Sequence, residues 1–101
     1  MGGDTRYGTA EFAAALGHTI KVLRTDRGVE RKDLADKAGL SYSHLAAIEA
    51  GQKQPSPQAL VAIAEALGIR SHELLESVEM RRERTERRGG DPWWLTGDAA
   101  I

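Results

Sequence analysis

Between Arg31 and Lys53 the chain gathers the polar side chains best suited to grip another molecule: Arg31 and Lys32, then Ser41, Tyr42, Ser43 and His44, then Gln52 and Lys53. Ser41, Tyr42 and Ser43 are consecutive, short or planar hydrogen-bonding groups. A helix with such groups at its N-terminal end fits the major groove of duplex DNA, where base edges present a readable pattern of donors and acceptors. Tyr42 can donate or accept one hydrogen bond and pack on a thymine methyl, and Ser43 can pair with several bases. Ala46 and Ala47 offer only apolar contact or close backbone approach. The set holds little bidentate chemistry, which argues against tight discrimination by this helix alone. Arg31 brings a full charge on a planar fork, so it can hold a phosphate or reach a guanine edge. Lys32, Ser41, His44, Gln52 and Lys53 are the further candidates for phosphate, joined by backbone N–H groups at helix starts. For each residue taken singly, a solvated side chain is the competing reading.

These groups must be positioned, and residues 30–51 contain the means. Leu34, Ala35 and Ala38 lie at helical spacing and give a first short helix its apolar face. Gly39 follows, where a turn with positive φ is needed and glycine adopts it at least cost. Leu40 plugs inward, Ser41 is a good N-cap for a second helix, and Leu45 and Ile48 are that helix's inward residues. Ala35 is small where two crossing helices must approach. Tyr42, Ser43, Ala46 and Ala47 are left facing outward.

This pattern resembles the helix-turn-helix of Cro/C1-type (XRE family) regulators. The residues that carry the resemblance are Leu34-Ala35, Ala38-Gly39-Leu40-Ser41, Leu45 and Ile48-Glu49-Ala50-Gly51; upstream, Ile20, Leu23, Arg24, Arg27 and Gly28 match, and downstream the match runs from Gln52 to Leu75. The resemblance implies an all-α, five-helix, lambda-repressor-like DNA-binding domain over residues 10–78. It would be preceded by a flexible segment, residues 1–9, and followed by a charged helical extension and tryptophan-containing tail, residues 79–101. It also assigns roles. Tyr42, Ser43 and Ala47 fall on base-reading positions, Arg31 stands where relatives often carry a phosphate-holding Gln, and Arg24 and Glu49 match a structural ion pair between the first and third helices. Proteins of this kind bind duplex DNA as two-fold dimers with reader helices about 34 Å apart.

The flanking segments read as follows. Residues 1–9 hold three glycines and a single basic residue, Arg6, which fits a flexible start better than an arm for the minor groove. Phe12, Leu16, Ile20 and Leu23 make one face of a helix that starts near Glu11 and is stopped by Gly28. Gly17 lies inside it, at a cost of up to about 1 kcal/mol against alanine, for no reason visible in the sequence. Ser56-Pro57 starts a fourth helix with Leu60, Ile63, Ala64 and Leu67 inward and Gly68 at its end. Ser71 reads as the cap of a fifth, whose apolar residues are Leu74, Leu75 and Val78. Residues 79–88 are dense in both charges, with Met80 the one apolar residue, so the fifth helix is expected to run on into solvent to about Arg88, without a coiled-coil seam. Gly89-Gly90 breaks it. Trp93, Trp94 and Leu95 then stand in a polar tail; the competing readings are a disordered tail and an anchor for a groove on this domain or on a second copy, and the anchor is favoured. Leu75, Val78, Trp93, Trp94 and Leu95 are the expected dimer or partner contacts.

The totals narrow the function class. The chain has 101 residues, 41% hydrophobic and 29% charged, with a net charge of −1, so positive charge for a nucleic acid must be local. There is no cysteine, and no apolar run long enough to span a membrane, which fits a cytoplasmic protein. His18, His44 and His72 are scattered singly, and neither a Ser/His/Asp set nor a Gly-rich phosphate loop occurs. The chain is expected to be no enzyme and to hold no metal or cofactor. The reading is a sequence-specific regulator of transcription acting as a repressor. The alternative is a protein-binding module, an antitoxin or adaptor, that grips a partner with its arginine-rich helix and Trp93-Trp94 tail.

Overall fold

A computed structural model describes residues 9–88, with side chains through Arg82. Five helices follow in order: α1 (Ala10–Asp26), α2 (Arg31–Ala38), α3 (Tyr42–Glu49), α4 (Pro57–Ala66) and α5 (Ser71–Arg88). Phe12, Leu16 and Ile20 from α1 meet Leu34 of α2, Leu45 and Ile48 of α3, Ile63 of α4, and Leu74 and Val78 of α5 in a single buried cluster. Helix α1 packs on α3 and α5, α2 on α3 and α4, and α4 on α5. With few aromatics, this core is built of branched aliphatics and small residues. Ala15, Ala35 and Ala64 lie buried in it.

Local signals set the helix ends. Thr9, Ser41 and Ser56 accept hydrogen bonds from the backbone N–H of Phe12, His44 and Ala59, at 2.9, 3.1 and 3.1 Å. Helix α2 differs: its N-cap, Glu30, makes no side-chain cap bond. At the other end, α1 to α4 all stop the same way. A glycine turns left-handed, and the next residue donates its N–H five residues back: Val29 to Arg24, Leu40 to Ala35, Gln52 to Ala47 and Ile69 to Ala64. Three of those residues are apolar and pack on the core, while Gln52 is exposed.

Two sequence expectations change. Helix α5 is capped one residue earlier than expected. Arg70 is its N-cap, its carbonyl accepting from Leu74 N–H at 3.1 Å and its own N–H donating to Glu73 Oε1 at 2.8 Å, so Ser71 is already helical. Helix α5 does run on to Arg88, but the first part of the charged extension is not fully solvated. Arg82 lies over the ring of Phe12, with its guanidinium carbon 5.6 Å from the centroid, and its side chain is only 14% exposed. The long alkyl stem lets a charged residue cover an apolar one.

Gly17 now has its reason. A Cβ there would collide with the backbone oxygen of Ile48 and lie 2.8 Å from that of Glu49, so the glycine lets α1 touch the end of α3. Gly51, at φ 78°, closes the same junction, since a Cβ there would lie 2.8 Å from Ala14 Cα.

Candidate nucleic-acid interface

The turn between α2 and α3 is set by Gly39 at φ 72°, ψ 28°, which lets Leu40 N–H reach Ala35 O at 2.9 Å while the Leu40 side chain packs on the core. That turn brings the start of α2 beside the start of α3. On α3, Leu45 and Ile48 are buried, while Tyr42 is 53% exposed and Ser41 and Ser43 are also exposed. Ala46, Ala47 and His44 are half-buried. Ser41 Oγ accepts from His44 N–H and lies 3.5 Å from Ser43 Oγ, so part of its capacity is spent on the cap. Lys32, Gln52 and Lys53 are exposed. The first N–H groups of α2, left without a side-chain cap, remain as donors for an anion.

Beneath this face lies a cluster of three charges. Arg24 and Glu49 form a buried bidentate pair, Nε to Oε2 at 2.8 Å and Nη2 to Oε1 at 3.1 Å, and Arg24 Nη1 donates to Val29 O at 2.9 Å. Arg31 joins from α2, its Nε donating to Glu49 Oε1 at 3.0 Å. Its Nη1 donates to Tyr42 Oη at 3.3 Å, and its guanidinium lies over the Tyr42 ring. Burial by itself lowers the Arg31 pKa, but the hydrogen bonds from Arg31 to Glu49 and Tyr42 outweigh it and raise the pKa above its ordinary value. Three helices thus share one carboxylate, and two guanidiniums on it leave the cluster one positive charge in excess. The Arg31–Glu49 contact was not foreseen from the sequence.

The other expected contacts divide. Val78 is fully buried in the core, where α5 packs on α1 and α4, so it cannot be a surface contact. Leu75 is half-buried and lines a shallow apolar groove with Phe12, Leu16, Pro55, Pro57 and Leu60. Trp93, Trp94 and Leu95 lie outside the described residues, as do residues 1–8. Among the described residues no helix is long and apolar enough to cross a membrane, and no three His, Asp or Glu side chains gather as a metal site requires.

Comparisons with known proteins agree with this geometry. The helix-turn-helix domain family matches over residues 15–78. The chain is 38% identical over 70 residues to the HTH-type transcriptional regulator DdrOP3 of Deinococcus deserti, covering 69% of this chain and 54% of that protein. It is 39% identical over 72 residues to the immunity repressor of Bacillus phage phi105, covering 70% of this chain and 50% of that protein. The chain therefore spans about half the length of these relatives. Among solved structures, the restriction-modification controller protein C.AhdI from Aeromonas hydrophila superposes with a TM-score of 0.60 at 32% identity, over 61% of this chain and 94% of that one.

Proposed function

This chain belongs to the Cro/C1-type helix-turn-helix family, and from that premise we propose that it binds duplex DNA sequence-specifically and represses transcription. The observation that carries the reading is the outward edge of α3. Tyr42 and Ser43 stand exposed at its start while Glu49, at its far end, is buried and held by two arginines. Tyr42, Ser43 and Ala47 meet bases. Lys32, Ser41, His44, Gln52 and Lys53, with the open N-terminus of α2, meet phosphates, and Arg31 is placed to reach a phosphate or a base edge. The relatives, described as regulators and a repressor, support this over an antitoxin or adaptor role. The protein acts in the cytoplasm, as a binding protein rather than an enzyme.

A homodimer fits the same reading, since one α3 reaches only a few base pairs. Support comes from α5, which exposes Met80 at 59% and borders the apolar groove at Leu75. Sedimentation of Met80→Lys checks this: a shift toward monomer is expected, and an unchanged balance sends the interface elsewhere.

The test of DNA binding is selection from random duplex DNA, followed by titration at two salt concentrations. A recovered consensus and a steep fall of affinity with salt are expected. Lys53→Ala should reduce the salt slope by about 0.9, the share of one phosphate contact. Failure of any duplex to enrich, even at low salt, would remove the reading.

A further inference from the structure

Arg31 and Tyr42 are in contact before any partner arrives. Arg31 Nη1 donates to Tyr42 Oη at 3.3 Å, its guanidinium carbon lies 5.6 Å from the ring centroid, and its Nε is held by Glu49 Oε1 at 3.0 Å. The chemistry of this arrangement is one-sided. A guanidinium carries N–H donors and no acceptor. It can meet the phenol only by donating, so Tyr42 Oη accepts there and its own O–H proton must turn elsewhere. One guanidinium N–H goes to Glu49 and one to Tyr42, and the rest stay available on a side chain that is 28% exposed.

Building on the DNA-binding reading above, we infer that Arg31 and Tyr42, held by Glu49, act as one composite hydrogen-bond donor that selects guanine in the major groove. Guanine presents two acceptors there, N7 and O6, which suit a surface made of donors. Adenine sets its N6 amino donor beside N7, and cytosine presents an amino donor, so each opposes donor to donor. Thymine has a single acceptor beside a methyl group, so it can satisfy only part of the unit. The three other polar groups at the start of α3 lack this bias, because the hydroxyls of Ser41 and Ser43 and the ring of His44 can each donate or accept.

Glu49 is a positioning residue in this scheme. Its side chain is 1% exposed, so it acts on DNA only through Arg31. Both of its oxygens are bonded to Arg24, at 2.8 and 3.1 Å, so the carboxylate cannot swing to follow a moving Arg31. The outer arginine is anchored to a group that is itself anchored. This restraint limits the rotamer entropy that a free arginine would lose on binding, and it fixes the plane of the fork.

The test uses the full chain and duplexes recovered from the random pool. Each guanine of the recovered sequence is replaced in turn by 7-deazaguanine, which removes the N7 acceptor and keeps base pairing. At least one replacement should weaken binding by roughly 5-fold, the low end of the range for a bidentate contact, because O6 remains. Arg31→Met keeps an unbranched stem but carries no donor, so the 7-deazaguanine effect, read as the ratio of affinities for the two duplexes so that any general loss of affinity cancels, should disappear. Glu49→Gln should shrink the same ratio; if circular dichroism finds that variant unfolded, Arg31→Met decides alone. A recovered sequence whose guanines all tolerate replacement, or an effect that survives Arg31→Met, overturns the inference and leaves DNA binding standing. Failure to enrich any duplex overturns both.

Discussion

At the C-terminal end of α3, Ile48 and Glu49 are buried against α1, with Gly17 and Gly51 removing the side chains that would hold the backbones apart. At its N-terminal end, Tyr42 is 53% exposed, and Ser41 and Ser43 are held by little beyond the helix cap. The difference shows where the accuracy of an exposed edge comes from. An isolated helix of eight residues is marginal in water. Its conformation is therefore supplied by the buried end and transmitted along the hydrogen-bonded backbone. The outer end is then free to carry residues chosen for a partner rather than for packing. Arg31 joins the two regimes, bonded inward to Glu49 and outward to Tyr42.

The comparison can be broken most severely at Glu49. Glu49→Ala leaves Arg24, whose side chain is 9% exposed, without its counter-charge. Losing one partner of a buried pair costs about 3–5 kcal/mol, read as a lower midpoint in urea unfolding. A cost under about 1 kcal/mol would mean that the buried end does not hold α3. Gly17→Ala comes next and has a sign worth watching. Helix propensity alone favours alanine by up to about 1 kcal/mol. The added methyl, however, meets the backbone oxygens of Ile48 and Glu49, which cannot rotate away as a side chain could. A net loss of about 1–3 kcal/mol is expected from overpacking, and a gain would show that α1 and α3 sit less tightly than described. At the outer end the effects shrink. Ser41→Ala removes the bond to His44 N–H, with a cost of about 1 kcal/mol by the same denaturation.

What could be read beforehand follows the same division. The helices and most inward residues were legible because they rest on local rules. Apolar spacing marked Leu16, Ile20, Leu34 and Leu45, hydroxyl caps marked Ser41 and Ser56, and left-handed glycines marked the ends. Contacts between segments distant in sequence were not. Nothing near Gly17 announces the carbonyl of Ile48, and nothing near Arg31 points to Glu49, eighteen residues on. The Arg24–Glu49 pair was anticipated only through a family resemblance, which carries long-range information that periodicity lacks. Val78 misled for a related reason. Its place at the end of an apolar run is compatible with core or interface, and only the packing of α5 on the other helices assigns it to the core. The cap of α5 was misplaced because Ser71 has the right hydroxyl, but Glu73 bonds one residue earlier, to Arg70.

The mildest substitution, Tyr42→Phe, separates the two ends most finely. It deletes one exposed hydrogen bond of 3.3 Å and leaves the ring on which the guanidinium lies, as well as the Glu49 bond that orients it. Two of the three restraints on Arg31 therefore survive. A cation over an aromatic face at an exposed site is worth roughly 0.5–1 kcal/mol, and that contribution is retained. Stability should change by less than about 0.5 kcal/mol, a Tm shift of no more than about 2–4 °C for a domain of this size. A larger loss, equal to or beyond that of Ser41→Ala, would mean that the Tyr42 hydroxyl helps to hold α3 itself. The outer end would then contribute to the fold that it was taken only to display, and the separation between a holding end and an offered end would fail.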